Sequence, residues 1–252
     1  MDLAPEIIIL LTLLCVCSGI IDAIAGGGGL LTVPALLFAG VPPVQALATN
    51  KLQSVFGTTV ACINFYRAGL IDLRANLLTV VAVFVCACAG TVAVQMVRSD
   101  ILELVVPALL LIVAGYVLLS PRMTDIDSRH YLGPKGYAPV GGAIGFYDGF
   151  FGPGTGSFFS ASLVALRGHG LTRATALSKL FNVTSNIAAV TMFALGGKML
   201  WLLGLCMAAG AITGGFIGSH LAMRFGARLI RPLLVIISVG LTGRLIWGYF
   251  AD

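Results

Sequence analysis

Long apolar runs follow one another along this chain with hardly a charge inside them, and that pattern leaves few folds open. Residues 5–25, 46–66, 75–97, 102–120, 174–195, 200–223 and 229–250 each come close to or exceed the ~20 residues that a spanning helix needs. Three further runs, 30–40, 138–151 and 156–166, are shorter, and each lies beside a glycine cluster. Hydrophobic residues make up 58% of the chain and charged ones 10%, against roughly a quarter charged in a soluble domain. The chain therefore reads as an all-α polytopic membrane protein. Its first run reads as a span and not a cleaved leader, because Asp2 and Glu6 make its flank acidic.

The net charge of +5 does not point to nucleic acid. The basic residues are scattered over short loops, as membrane topology demands. All six cysteines fall inside apolar runs, which suits small packing residues better than redox or metal work. There is no H-E-x-x-H, no G-x-S-x-G and no Walker lysine, and His130, His169 and His220 are scattered. The sequence thus argues against an enzyme and calls for no cofactor and no metal.

The chain is written twice. GIIDAIAGGGG (19–29) matches GFYDGFFGPGT (145–155), pairing Gly19 with Gly145, Asp22 with Asp148, Gly26 with Gly152 and Gly28 with Gly154. After a two-residue insertion, Ala46 pairs with Ala174, Ala48 with Ala176, Lys51 with Lys179, Phe65 with Phe193 and Gly69 with Gly197. Further on, Gly90 pairs with Gly218, Pro107 with Pro232 and Gly115 with Gly240. The expected organisation is a first transmembrane repeat over 1–120, a cytoplasmic linker over 121–137 and a second repeat over 138–252.

Loop charge says how the repeats are related. If each glycine cluster tips a re-entrant hairpin, Arg67, Arg74, Arg122, Arg129, Lys135, Arg167, Arg173, Arg224, Arg228 and Arg231 share one side. Arg98, Lys198 and Arg244 then face the other. If only the short arm is re-entrant, the bias vanishes. The positive-inside rule selects the first arrangement, with both termini outside the cytoplasm. Each repeat then crosses an odd number of times, so the fold class expected is two inverted repeats. Each has a glycine-broken re-entrant helical hairpin plus three spanning helices.

Glycine breaks at membrane depth are tolerable only where they line a protein cavity. Their recurrence in both halves is the best sequence pointer to a transport site. Half-helices starting near Leu30 and near Ser157 would turn positive dipole ends toward an anion. The breaks therefore nominate Gly27, Gly28 and Gly29, and Gly154, Thr155, Gly156 and Ser157, as substrate contacts. The plainer alternative is that the glycines only allow close helix packing.

Lys51 and Lys179 sit at matching points inside apolar helices, where an ionisable residue is functional by default. Snorkelling to the interface is the competing reading. Polar neighbours weigh against it: Thr49, Asn50, Gln53 and Ser54 in one half, Thr175, Ser178, Asn182, Ser185 and Asn186 in the other. Hydroxyl and amide donors beside an ammonium can replace the water shell of an oxyanion. The substrate-binding set is thus Lys51, Lys179, Thr49, Asn50, Gln53, Ser178 and Asn182 with the glycine-break residues. Asp22 and Asp148 are carboxylates inside the apolar runs, each four residues before its glycine break. They pair with a lysine, cap a half-helix, or carry a coupling proton.

DAIAGGGGLLTVPALLFAGVPPVQALATNKLQ and GFYDGFFGPGTGSFF resemble the TauE/SafE family of bacterial membrane transporters, and its YfcA-like branch especially. The second half departs from the usual pattern, reading GPGTG where a G-x-G-G-G run is common and lacking a proline to match Pro34. The resemblance covers essentially the whole chain. It implies export of small anions such as sulfite, sulfoacetate or related organosulfonates and carboxylates across a bacterial inner membrane. The expected partners are a small anionic substrate, the lipid bilayer and, where Asp22 or Asp148 carries one, a proton as coupling ion. An anion-selective channel and a non-transporting scaffold or assembly factor are the competing classes.

Overall fold

The computed structural model describes residues 3–119, 125–127 and 131–225. The expected last span (229–250), with Pro232, Gly240 and Arg244, lies outside them, as do Arg122, Arg129, Arg228 and Arg231. The described residues form nine α-helices: α1 (Pro5–Ala25), α2 (Gly29–Phe38), α3 (Pro43–Arg67), α4 (Leu77–Met96), α5 (Ser99–Leu119), α6 (Ala138–Phe150), α7 (Thr155–Arg167), α8 (Leu171–Leu195) and α9 (Trp201–Phe225). Of these, α1, α4 and α9 are long and apolar enough to cross a membrane. α3 and α8 match α9 in length but carry the polar stretches around Lys51 and Lys179.

Helix order repeats, α1–α4 against α6–α9, and the backbone repeats with it. Gly26 and Gly152 both have positive φ (78° and 97°), as do Gly69 and Gly197 (75° and 66°). α1 and α2 form a hairpin that returns to its starting end, since Phe38 and Ala39 lie with Ile7 and Leu10. α6 and α7 do the same: Tyr131 and Leu132 donate backbone N–H groups to the Leu166 carbonyl at 3.1 and 2.9 Å. α2 begins at Gly29 and α7 at Thr155, each slightly earlier than its sequence suggested.

Glycine seams set the helix directions. Gly210, Gly214 and Gly218 of α9 press in order on the carbonyls of Thr12, Val16 and Ile20 of α1, leaving no room for a Cβ. Gly141, Gly145 and Gly149 of α6 press in order on Thr79, Val83 and Ala87 of α4. Both are four-residue small-residue seams, which let helix backbones approach where lipid supplies no hydrophobic drive. Matching order means that α1 runs parallel to α9, and α6 parallel to α4. α4 and α8 also run alike, meeting near their starts through Asn76 and Arg167 and at their ends through Gln95 and Met192. The short turn after Leu195 reverses α8 into α9, so α6 points opposite to α1.

Charge follows the same division. Arg67, Arg74, Lys135, Arg167, Arg173 and Arg224 gather at one end of the bundle, and Arg98 and Lys198 at the other. From the linker, Asp127 accepts the Gly170 N–H at 2.6 Å and Asp125 the Thr172 N–H at 2.8 Å. Two carboxylates thus satisfy N–H groups at the start of α8, where the helix dipole favours them.

Candidate functional site

The hairpin tips meet in the interior. Gly26 closes α1 in the left-handed conformation, its N–H donating to the Asp22 carbonyl at 2.8 Å. A Cβ on Gly26 would collide with the backbone of Gly156 and Ser157, and one on Gly156 with Gly26. The tips are also tied, because the Ser157 hydroxyl donates to the Ala25 carbonyl at 2.9 Å. Neither α2 nor α7 has a side-chain cap, so both half-helices turn bare N-termini toward this junction.

Two ion pairs cross between the halves. The Lys51 ammonium lies 2.6 Å from an Asp148 carboxylate oxygen and donates to the Asn186 side-chain oxygen at 3.0 Å. Asp148 also accepts from the Ser185 hydroxyl. In the reciprocal pair, Lys179 donates to the Asp22 carboxylate at 3.0 Å and to the Asp22 backbone carbonyl. Lys51 and Lys179 are 2% and 0% exposed, so neither ammonium reaches along its helix to the surface. A Cβ on Gly152 would stand 2.9 Å from the Lys51 nitrogen, which explains glycine there apart from its φ of 97°.

Beside the junction lies a polar cavity with about 20 Å³ of free volume, room for one water. Its wall includes Lys51, Asp148, Asp22, Asn50, Asn182 and Asn186. Ser54 and Thr58, with Gly26, Gly29, Gly152, Gly154, Thr155 and Gly156, complete it. The wall is nearly two-fold: Ser54 and Thr58 stand three and seven residues after Lys51, as Asn182 and Asn186 stand after Lys179. Asn186 reaches Thr58 across that relation at 3.4 Å. Lysine breaks the symmetry, because Lys51 lines the cavity and Lys179 does not.

A family model described as "Sulfite exporter TauE/SafE" matches residues 11–245. The chain belongs to the TauE/SafE family. Curated relatives agree in class. The "Probable membrane transporter protein YfcA" of Escherichia coli (strain K12) is 41% identical over 245 residues, covering 97% of this chain and 91% of that protein. A "Probable membrane transporter protein" of Haemophilus influenzae is 40% identical over 253 residues, covering 99% of each. The "Probable membrane transporter protein ORF9" of Sinorhizobium sp is 42% identical over 246 residues, with 97% and 94% covered. No solved structure matches. The chain is thus a membrane transporter by family, with apolar helices to suit.

In this TauE/SafE member, only some of the residues nominated from sequence line the cavity, and Lys179 is not among them. Lys51, Asn50, Asn182, Gly29, Gly154, Thr155 and Gly156 line the cavity, together with Asp22 and Asp148. Gln53 stands one step back, donating to Asn50 at 3.0 Å, and Ser157 is spent on the tip contact. Thr49 and Ser178 are buried in their helices away from the cavity, and Ser178 bonds its own helix at 2.8 Å. Gly27 and Gly28 shape the turn, the Gly28 carbonyl accepting from Ser18 at 2.9 Å. Thr58 was missed. Its spacing of seven from Lys51 puts it on the same helix face and was the available signal.

Proposed function

We propose that the protein is a secondary transporter that exports small oxyanions, such as sulfite, sulfoacetate or related organosulfonates and carboxylates, across a bacterial inner membrane. The observation that carries this reading is the cavity where the hairpin tips meet, with Lys51 in its wall among amide and hydroxyl groups of both halves. An ammonium with such donors and two uncapped helix N-termini supplies what a desolvated oxyanion needs. Lys51 is the direct anion contact. Lys179 acts from behind, holding Asp22 and through it the first hairpin tip.

The halves act as inverted repeats, a reading supported by the opposite directions of α1 and α6 and by the exchanged ion pairs. The basic end faces the cytoplasm, supported by the uneven distribution of loop cations, so both termini lie outside. A cavity of about 20 Å³ holds a water but no sulfonate. Substrate therefore enters only when the tips part, which favours alternating access over an open anion pore. Reconstituted protein tests this: labelled sulfoacetate should accumulate against its gradient when a proton gradient is imposed. Flux that only relaxes the anion gradient would indicate a channel, and no flux with any small oxyanion would indicate a scaffold.

A further inference from the structure

The cavity that offers Lys51 to an anion also holds Asp148 on that same ammonium, 2.6 Å away, with Asp22 also in its wall. The empty site is charge-balanced: one cation and one anion in each cross-repeat pair. An arriving oxyanion must take the place of a carboxylate that is already there. If Asp148 stayed ionised, two anionic groups would share one ammonium in a space with room for a single water. Like charges so placed cannot both remain ionised without a heavy cost, and the usual resolution is a proton on one of them.

We infer, on the anion-transport reading above, that Asp148 is the proton site of the carrier and that anion and proton bind together, whereas the Lys179–Asp22 pair stays closed. Charge balances at each stage. Lys51 ammonium and Asp148 carboxylate sum to zero. A monoanion plus one proton leaves the ammonium paired with the anion and Asp148 as a neutral acid, again summing to zero. The proton comes from water on the open side. The loaded and empty carriers then have the same net charge in the bilayer and the cycle with a monoanion is electroneutral; because anion and proton cross together, export runs on the outward anion gradient and an inward proton gradient opposes it.

The asymmetry between the pairs selects Asp148. Lys51 lines the cavity and can pass from carboxylate to anion without moving its helix. Lys179 is fully buried outside the cavity and holds Asp22 by backbone as well as side chain, so it has no free path to an anion. The groups that face Asp148 come from several helices. α3 contributes Lys51, α8 contributes Ser185 with Lys179 turned to Asp22, and α1 contributes Asp22 itself. Tyr147 of α6 is committed to the Pro153 carbonyl at 2.7 Å, and α4 presents Ala87 and Thr91 to this stretch of α6. Once Lys51 turns to the anion, the Ser185 hydroxyl can accept a hydrogen bond from the protonated carboxyl while donating its own hydrogen to the Phe181 carbonyl at 3.0 Å.

The test counts protons. Methanesulfonate, which does not titrate near neutral pH, is titrated calorimetrically into purified full-length protein in two buffers of different ionisation enthalpy. Wild type should take up about one proton per anion, and its affinity should fall about tenfold per pH unit above the carboxyl pKa. Asp148→Asn should still bind the anion, with no proton uptake and no pH dependence, while Asp22→Asn should keep the uptake near one. Should Asp148→Asn not fold, the wild-type and Asp22→Asn counts decide the matter. Binding without proton uptake in wild type, or uptake lost in Asp22→Asn instead, overturns this inference and leaves the transport reading standing. No binding of methanesulfonate, sulfite or sulfoacetate by wild type overturns the transport reading and this inference with it.

Discussion

The exchanged pairing of Lys51 with Asp148 makes a quantitative prediction about stability. At 2.6 Å the two charges attract by about 6 kcal/mol at an effective dielectric of about 20. Desolvating two buried ions costs several kcal/mol each, so the net contribution of the intact pair is small. Removing one partner is different, because it strands the other: Lys51 is 2% and Asp148 3% exposed, and the cavity beside them has room for a single water. Lys51→Gln and Asp148→Asn should therefore each destabilise by about 3–5 kcal/mol. The double variant, neutral and still able to hydrogen-bond through Ser185 and Asn186, should cost well under the sum. Unfolding in a fixed detergent mixture gives the three differences. Lys51→Gln combined with Asp22→Asn is the control and should be closer to additive, because Asp22 pairs with Lys179. Additivity within about 0.5 kcal/mol for Lys51→Gln with Asp148→Asn would refute the pairing.

Two further expectations concern the tips and the topology. Gly26→Ala and Gly69→Ala place the same side chain at nearly the same φ (78° and 75°), but only Gly26 faces another backbone, so Gly69→Ala should cost about 1–2 kcal/mol and Gly26→Ala clearly more, with transport lost. Equal thermal shifts for the two variants would contradict the tip contact. In a cysteine-free background, cysteines at Arg74 and Lys135 should label from the cytoplasmic side with an impermeant thiol reagent, and one at Lys198 from the outside; labelling of Arg74 and Lys198 from one side would overturn the inverted arrangement.

Much of this architecture was legible because the chain repeats. Gly26 aligns with Gly152 and Gly69 with Gly197 in the repeat, and all four residues have positive φ. Phe65 and Phe193, paired in the same way, are both fully buried. The partner of each lysine was not legible. Asp22 precedes a glycine break by four residues, which fits capping, proton coupling and ion pairing alike. Only the crossing of the hairpins shows that α2 is uncapped by it and that Lys179, 157 residues away, claims it. Sequence symmetry also overstated the likeness of the two lysines. Lys51 faces the cavity and Lys179 the back of Asp22, a difference that the matched motifs do not encode.

The central claim is that Lys51 holds the transported anion, and calorimetric titration of sulfite and sulfoacetate tests it most directly. Wild type is compared with Lys51→Gln and Lys179→Gln, each checked for folding, with Lys51→Gln/Asp148→Asn as a charge-balanced reference. A charged hydrogen bond is worth about 1.5–3 kcal/mol, so loss of Lys51 should weaken binding roughly tenfold to a hundredfold. Lys179→Gln should weaken it less. Wild-type affinity in folded Lys51→Gln and in its charge-balanced partner would contradict the account.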